Sequence, residues 1–585
     1  MRAHLIGAVL IGLLTTAPTK AFGSGTGNDA ANQDDAKPTS TSEVSKGSGS
    51  GDGASAPEDV SAAEVELLKQ LLRHQSSEYE EQRAINADLQ SQLTSLEAAL
   101  KGVRGPIAEP STNAPSASAA PATIPQFANL QKSREAKEDK SPLFFNIGRA
   151  NFTPGGFMDI TGIFRTKAVG SGIATAFGMI PYKVAASYPA AGLSELRISE
   201  QNTRLSLKVD SAIGSAKVTG FVETDFLGNN APTMDVTSNS ATLRLRLAFA
   251  DVVKGNWELL GGQGWSLMTP NRTGLSPMGS DVFYSLDGDS NYQVGVVWAR
   301  QPQLRLVYHP TSSWALGFSA ENPQQFTGSA LTVPTGFTST QVDTNGAAWG
   351  SNTNTPNLLP DFVAKVAWDT RIGGRALHLD AAGIYRTFKI NTFVAATSTA
   401  TQINENSVAS GAGVSFNSNL ELFRHFHFIE NAFWSDGGGR YLLGLEPDFV
   451  VRPANSAGVY SISPVHAGSG LVGFEWQAYP KVMFYGYYSG VYAGRNSAKV
   501  APNTACGALG YCGFGYPGSS SAMNRDIQEA TLGISRTFWH SPELGKLMAS
   551  TQVSYVTRNP WSVAPGTPNN ANLMMAFITM RYILP

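Results

Sequence analysis

Cysteine is nearly absent: only Cys506 and Cys512 occur in 585 residues. That excludes a scaffold built on disulfides, and two thiols without neighbouring histidine make a poor metal site. Their closeness in Gly-rich sequence favours one loop disulfide. The eight histidines are scattered, with His425 and His427 beside an expected tight turn. Gly-x-Ser-x-Gly, His-Glu-x-x-His and phosphate-loop patterns are all missing, so no enzyme class is suggested and no cofactor is expected. An excess of one charge is lacking too: the formal net charge is −2, which argues against a nucleic-acid partner. Beyond the N-terminal segment no apolar run approaches roughly 18 residues, so no spanning helix is expected.

What the chain does have is alternation. From about residue 157 onward, apolar residues recur at every second position. Between Thr242 and Val252, this places Leu243, Leu245, Leu247 and Phe249 on one face and Arg244 and Arg246 on the other. Of the regular structures, only a strand separates chemistry at this spacing. Sixteen such runs can be counted, among them 257–265 and an unusually long sixth at 292–309. Connections alternate between short and long, the longer ones always following an odd strand. An even count with tight turns on one side predicts an all-β transmembrane barrel of about 16 antiparallel strands over 143–585. Sixteen strands leave room for an aqueous channel. Aromatic residues near strand ends, including Trp257, Trp265, Tyr479, Tyr492, Phe538 and Trp539, read either as an interfacial girdle or as a barrel-rim core.

The N-terminal quarter is different. Residues 1–21 read as a secretory signal peptide, with Arg2, an apolar stretch from Leu5 to Leu14, and Thr19-Lys20-Ala21 as cleavage site. Residues 22–59 are rich in Gly, Ser, Asp and Ala and are expected to be disordered. Residues 60–101 carry a heptad: Val65, Leu72, Tyr79, Asn86, Leu93 and Leu100 form one series. Leu68, Gln75, Gln82, Leu89 and Leu96 form the other. This predicts an α-helical coiled coil roughly 54 Å long at 1.5 Å per residue, and hence self-association. Residues 102–142, rich in Pro and Ala, read as a linker to the barrel.

The face opposite the lipid carries the chemistry. Glu200, Asn202, Arg204, Ser206 and Lys208 share one parity. Lys217, Thr219, Glu223 and Asp225 share the next, followed by Arg244, Arg246, Gln301, Gln303 and Arg305. Arg204, Arg244, Arg246, Arg305, Gln303, Glu223 and Asp225 are the expected pore-lining and selectivity residues. A largely basic wall favours anions, and the guanidinium fork suits carboxylates. The bland alternative is that these charges pair with one another. Met268 to Ser290 does not resemble a solvated loop and is expected to fold into the lumen. Within it, Asp287-Gly288-Asp289-Ser290-Asn291 is similar to part of a calcium loop, but the remaining ligands are missing and turn chemistry explains it better.

Four strings carry a resemblance: Leu243-Arg244-Leu245-Arg246-Leu247-Ala248-Phe249, Gly261-Gly262-Gln263-Gly264-Trp265-Ser266, Arg300-Gln301-Pro302-Gln303-Leu304-Arg305 and Ala320-Glu321-Asn322-Pro323. In order and spacing the middle of the chain resembles the DcaP-like outer-membrane porins. It departs at Leu247, where a polar or aromatic residue is expected, and in ending Arg581-Tyr582-Ile583-Leu584-Pro585. The resemblance implies homotrimers of sixteen-stranded barrels in the outer membrane of a Gram-negative-type bacterium, with the N-terminal region in the periplasm. It also implies passage of small anions, dicarboxylates among them. The expected partners are outer-membrane lipid, further copies of the chain and small anionic solutes. The alternative is a structural protein that tethers the membrane through its coiled coil.

Overall fold

The computed structural model describes residues 141–585, except 184–187, 229–240, 279–281, 283–286, 329–330, 339–340, 344–356, 400, 443–445, 503 and 507. The expected signal peptide, the 22–59 segment, the coiled coil and the linker up to Lys140 lie outside the described residues.

The barrel begins with β1 (Ala150–Arg165), β2 (Glu195–Ser199 with Arg204–Ile213), β3 (Ala216–Asp225) and β4 (Arg244–Lys254). It continues through β5 (Trp257–Trp265), β6 (Arg300–Thr311), β7 (Trp314–Glu321) and β8 (Asp361–Ile372). Next come β9 (Arg375–Val394), β10 (Ile403–Phe423), β11 (Phe426–Asp436) and β12 (His466–Tyr479). The circuit is completed by β13 (Val482–Ala493), β14 (Asn524–Ser541), β15 (Gly545–Pro560) and β16 (Ala571–Ile583). Every strand is antiparallel to the next, and β16 pairs back onto β1 from Ile583↔Phe157 to Met575↔Arg165. The sheet has eighteen segments. Two of them form the single strand β2, and Phe145–Ile147 only extends the position of β16 along β1. Sixteen strands close the ring, which removes every edge and satisfies the backbone internally, as hydrocarbon demands.

Alternation decides what each face meets. Leu245 is 50% exposed, Leu304 60% and Ile578 62%, whereas Arg246 is 4% and Gln303 7% exposed. A belt of exposed apolar side chains around a closed sheet fits lipid and would be an aggregation surface in water. No helix among the described residues is long and apolar enough to cross a membrane. Trp257, Tyr479, Phe538 and Trp539 are exposed at the short-turn end, where amphipathic rings favour the interface. Both described ends of the chain lie at that end, and Ser141 donates to the Pro585 carbonyl at 2.8 Å.

Three expectations need correction. Leu247 and Phe249 do not share the face of Leu245; both are buried against the lumen. Glu223 pairs with Leu247 and Thr224 with Leu245, so Arg246 is the extra residue of a bulge and the facing of β4 changes there. Trp265 is not part of a girdle: it is 5% exposed and points inward. The sixth strand starts at Arg300, not at 292. Residues 292–299 are apolar enough to read as strand, but Gly295 has φ +80° and a Cβ there would sit 2.3 Å from the Gly490 carbonyl oxygen. That conformation breaks extended structure and presses the backbone against β13.

The long connections carry two small hairpins, Phe449–Arg452 with Ser461–Pro464 and Asn496–Lys499 with Tyr511–Phe514. Cys512 lies in the second hairpin and is joined to Cys506, with Cα atoms 5.2 Å apart.

Candidate lumen constriction

The connection 266–299 leaves β5 and crosses the lumen before it enters β6. Leu267, Met268, Leu275, Val294, Val296 and Val297 are buried along it, so burial of apolar area draws the segment inside. Its polar groups then find partners on distant strands. The Asn271 amide donates to Asp380 Oδ2 at 3.1 Å and Gly274 to Asp369 Oδ2 at 2.9 Å. Lys365 Nζ donates to the Thr269 carbonyl at 2.9 Å and lies 3.2 Å from Asp380. Arg272 clasps Glu475 of β12 with two bonds of 2.7 and 2.8 Å, and Tyr487 Oη donates to the same carboxylate at 2.7 Å. Further on, Val294 donates to Glu529 Oε2 at 3.0 Å and Trp298 to the Tyr441 carbonyl at 3.0 Å.

The acidic string in this segment faces β14 and β15. Asp287 accepts from Gln293 and Gln552, and also from the Asp289 amide at 2.8 Å. Asp289 accepts from the Asn291 amide at 2.8 Å and the Thr175 amide at 3.1 Å. These are the Asx turns that the sequence suggests. Burial, then the charge of Asp289, pushes the Asp287 carboxyl up to about 7, against hydrogen bonds that favour ionisation.

Guanidinium groups gather on the other side of the crossing segment. Arg204 donates to Tyr292 Oη at 2.8 Å. Arg244 grips Asp225 with bonds of 3.0 and 2.7 Å. Arg246 spans Glu223 at 2.6 Å and Asp225 at 2.8 Å, a reach that the bulge gives it. Arg300 lies 5.4 Å and Arg246 5.9 Å from the centre of the Trp265 ring, which packs against Trp298 at 4.0 Å with the rings tilted by 40°. Arg581 donates to Asp159 at 2.8 Å and covers Phe157 at 4.0 Å. Arg300 has no carboxylate partner among the described residues, and its buried Nη1 makes no hydrogen bond. Arg246, Arg244 and Arg204 are the cations that act on it. The Tyr292 hydroxyl sits among Arg204, Arg246 and Arg581. Burial alone would raise its pKa, but these cations outweigh burial and hold it below the ordinary phenol value. Among the described residues, five guanidiniums here face three carboxylates.

Of the residues expected at the pore, Arg204, Arg244, Arg246, Glu223 and Asp225 come together in this cluster. Gln303 and Arg305 do not join them. Arg305 is 3% exposed and donates to Gln303 Oε1 at 3.0 Å and to the carbonyls of Trp265 at 2.5 Å and Leu275 at 3.3 Å. It fastens the base of the crossing segment. Sequence reasoning missed Arg300, Arg581, Tyr292 and Trp298 as cluster members. Arg581 has lumen parity with Thr579 and Phe577 and was legible by the rule applied to β2 and β3. Arg300 has the opposite parity to Gln301, and only its place at the strand end lets the long side chain turn inward.

No protein-family model and no curated protein matches the chain. Solved structures do match in shape. The outer membrane channel DcaP of Acinetobacter baumannii is similar at 17% identity with a TM-score of 0.49, over 75% of this chain and 99% of that one. OmpT, an outer membrane protein of Vibrio cholerae, matches at 10% identity and a TM-score of 0.38, over 75% and 99%. OprB of Pseudomonas putida matches at 11% identity and a TM-score of 0.39, over 74% and 94%. The architecture described above rests on the chain's own strand pairing.

Proposed function

We propose that this protein is an outer-membrane porin, a water-filled channel for passive diffusion of small, carboxylate-bearing anions. Arg204, Arg244, Arg246, Arg300 and Arg581 against Glu223, Asp225 and Asp159 is the observation that carries the reading. Among the described residues the cations of this wall outnumber its carboxylates, and Arg300 lacks a carboxylate there. Fixed cations in a narrow, partly dehydrated passage favour anions over cations. The planar fork of arginine suits both oxygens of a carboxylate. Assembly as a homotrimer, with the coiled coil on the periplasmic side, belongs to the same proposal and follows from the heptads and the family resemblance.

The test is the reversal potential of purified protein in a planar bilayer across a KCl gradient. Anion preference is expected. Replacing Arg204, Arg244, Arg246 and Arg300 together by Gln should lower the anion-to-cation permeability ratio while the pore stays open. The difference should shrink near 1 M salt, where the Debye length is roughly 3 Å. An unchanged ratio in this variant at low salt would overturn the assignment.

A further inference from the structure

The basic wall does not end at the constriction. Below it, on the same lumen-facing parity, β2 carries Lys208 and Asp210 and β3 carries Lys217. Lys208 pairs across the sheet with Thr153 and Asp210 with Asn151 of β1. These residues line a cleft of about 520 Å3 near the short-turn end, together with Arg149, Ser141 and Phe144 of the segment that enters the barrel there. Lys208 is neutralised by Asp210 at 3.0 Å, and Thr219 Oγ1 donates to the same carboxylate at 2.8 Å. Arg149 and Lys217 form no ion pair among the described residues, so the described side chains of the cleft carry two cations beyond the Lys208–Asp210 pair. From Arg204 to Lys208 the chain runs about 13 Å, at roughly 3.3 Å per strand residue.

We infer that this cleft is a second station, on the short-turn side of the constriction, for a small dianion in transit; the inference rests on the anion reading of the channel. Its size excludes nothing as small as a dicarboxylate or sulfate. Two cations match a dianion in charge without a buried, bidentate grip, so occupancy is brief. Conduction needs sites that attract an ion yet release it, and two stations in series do this better than one deep site. Cations at a mouth also focus the field and raise the rate of anion entry from that side.

The experiment uses the full-length protein, inserted in one orientation in a planar bilayer at roughly 0.1 M KCl, where the Debye length is about 10 Å. Sulfate is added to one side at a time and its entry rate read from current interruptions. In R149Q/K217Q, the entry rate from the short-turn side should fall roughly threefold or more, while entry from the long-loop side stays unchanged. The charge-preserving R149K/K217R should retain the wild-type rate. If the wild type prefers anions but R149Q/K217Q enters sulfate from the short-turn side as fast as wild type, the station is wrong and the channel reading stands. An equal fall from both sides also overturns it, because the charges then act on the whole pore. A wild type without anion preference overturns the channel reading, and the station with it.

Discussion

The two sides of the crossing segment are both rich in ionised groups, yet they differ in how those groups are matched. On the side of β8 to β12, Arg272 meets Glu475, and Lys365 meets Asp380. His378 lies 2.9 Å from Asp369 and 3.1 Å from Asp380. Apart from the partly exposed Asp369, these side chains are at most 5% exposed. On the side of β16, β2, β4 and β6, cations outnumber carboxylates among the described residues, and Arg244 and Arg581 keep 23% and 28% exposure. Matched and buried charges hold a structure in place. Cations that keep some exposure, on a wall where described carboxylates are fewer, can still act on something that arrives from solution. A count of charges in the sequence does not separate these two roles.

The comparison breaks most sharply at Arg272. Replacing it by Ala leaves Glu475 buried without its cation, a loss of about 3–5 kcal/mol for a paired buried charge. The crossing segment should loosen, seen as larger and noisier single-channel conductance. A conductance trace like that of wild type would show that the clasp does not hold the segment. The same change on the opposite wall, Arg244→Ala, should alter selectivity and leave conductance noise nearly unchanged.

Next in size is the facing itself. Leu245→Arg places a cation against lipid and should cost about 2–4 kcal/mol near the bilayer midplane, reducing folded barrel on heat-modifiability gels. Normal assembly of this variant would mean that the inward and outward faces of β4 have been exchanged.

An effect confined to the crossing segment should follow pH. With its carboxyl raised from 3.8 to about 7, Asp287 binds its proton more tightly when the segment is docked than when it is free. Raising pH between these values therefore weakens docking, the loss being complete above about 7 and absent below 3.8. Asp289 and Glu529 face the same spot and add to the repulsion. Amide exchange at Gly288 to Val294, corrected for intrinsic rates, should be faster at about pH 8 than at about pH 5. Asp287→Asn should flatten that dependence; a dependence that persists would place the proton elsewhere. The least effect on either wall is expected from deleting Val65 to Leu100. The barrel should persist, because its backbone pairing is closed, while the oligomer becomes more sensitive to detergent and heat. An equally resistant oligomer would assign assembly to barrel contacts.

The sequence by itself determined the strand count, the alternation of short and long connections, and the facing of most strands. All three follow from a two-residue period and from turn chemistry, which are local. The inward course of 268–290 was legible in its unsolvated composition, as was the inward parity of Arg204, Arg244 and Arg246. Tertiary structure alone decided the rest. The bulge at Arg246 exists because β3 offers one residue where β4 offers two, and it turns Leu247 inward. The sixth run loses its first residues to the lumen because Gly295 lies against Gly490, a neighbour far away in the chain. Arg305 serves the base of the crossing segment, whereas Arg300, of opposite parity, reaches the charged cluster. Which cation is matched depends on partners brought together only when the barrel closes, and no local pattern encodes that closure residue by residue.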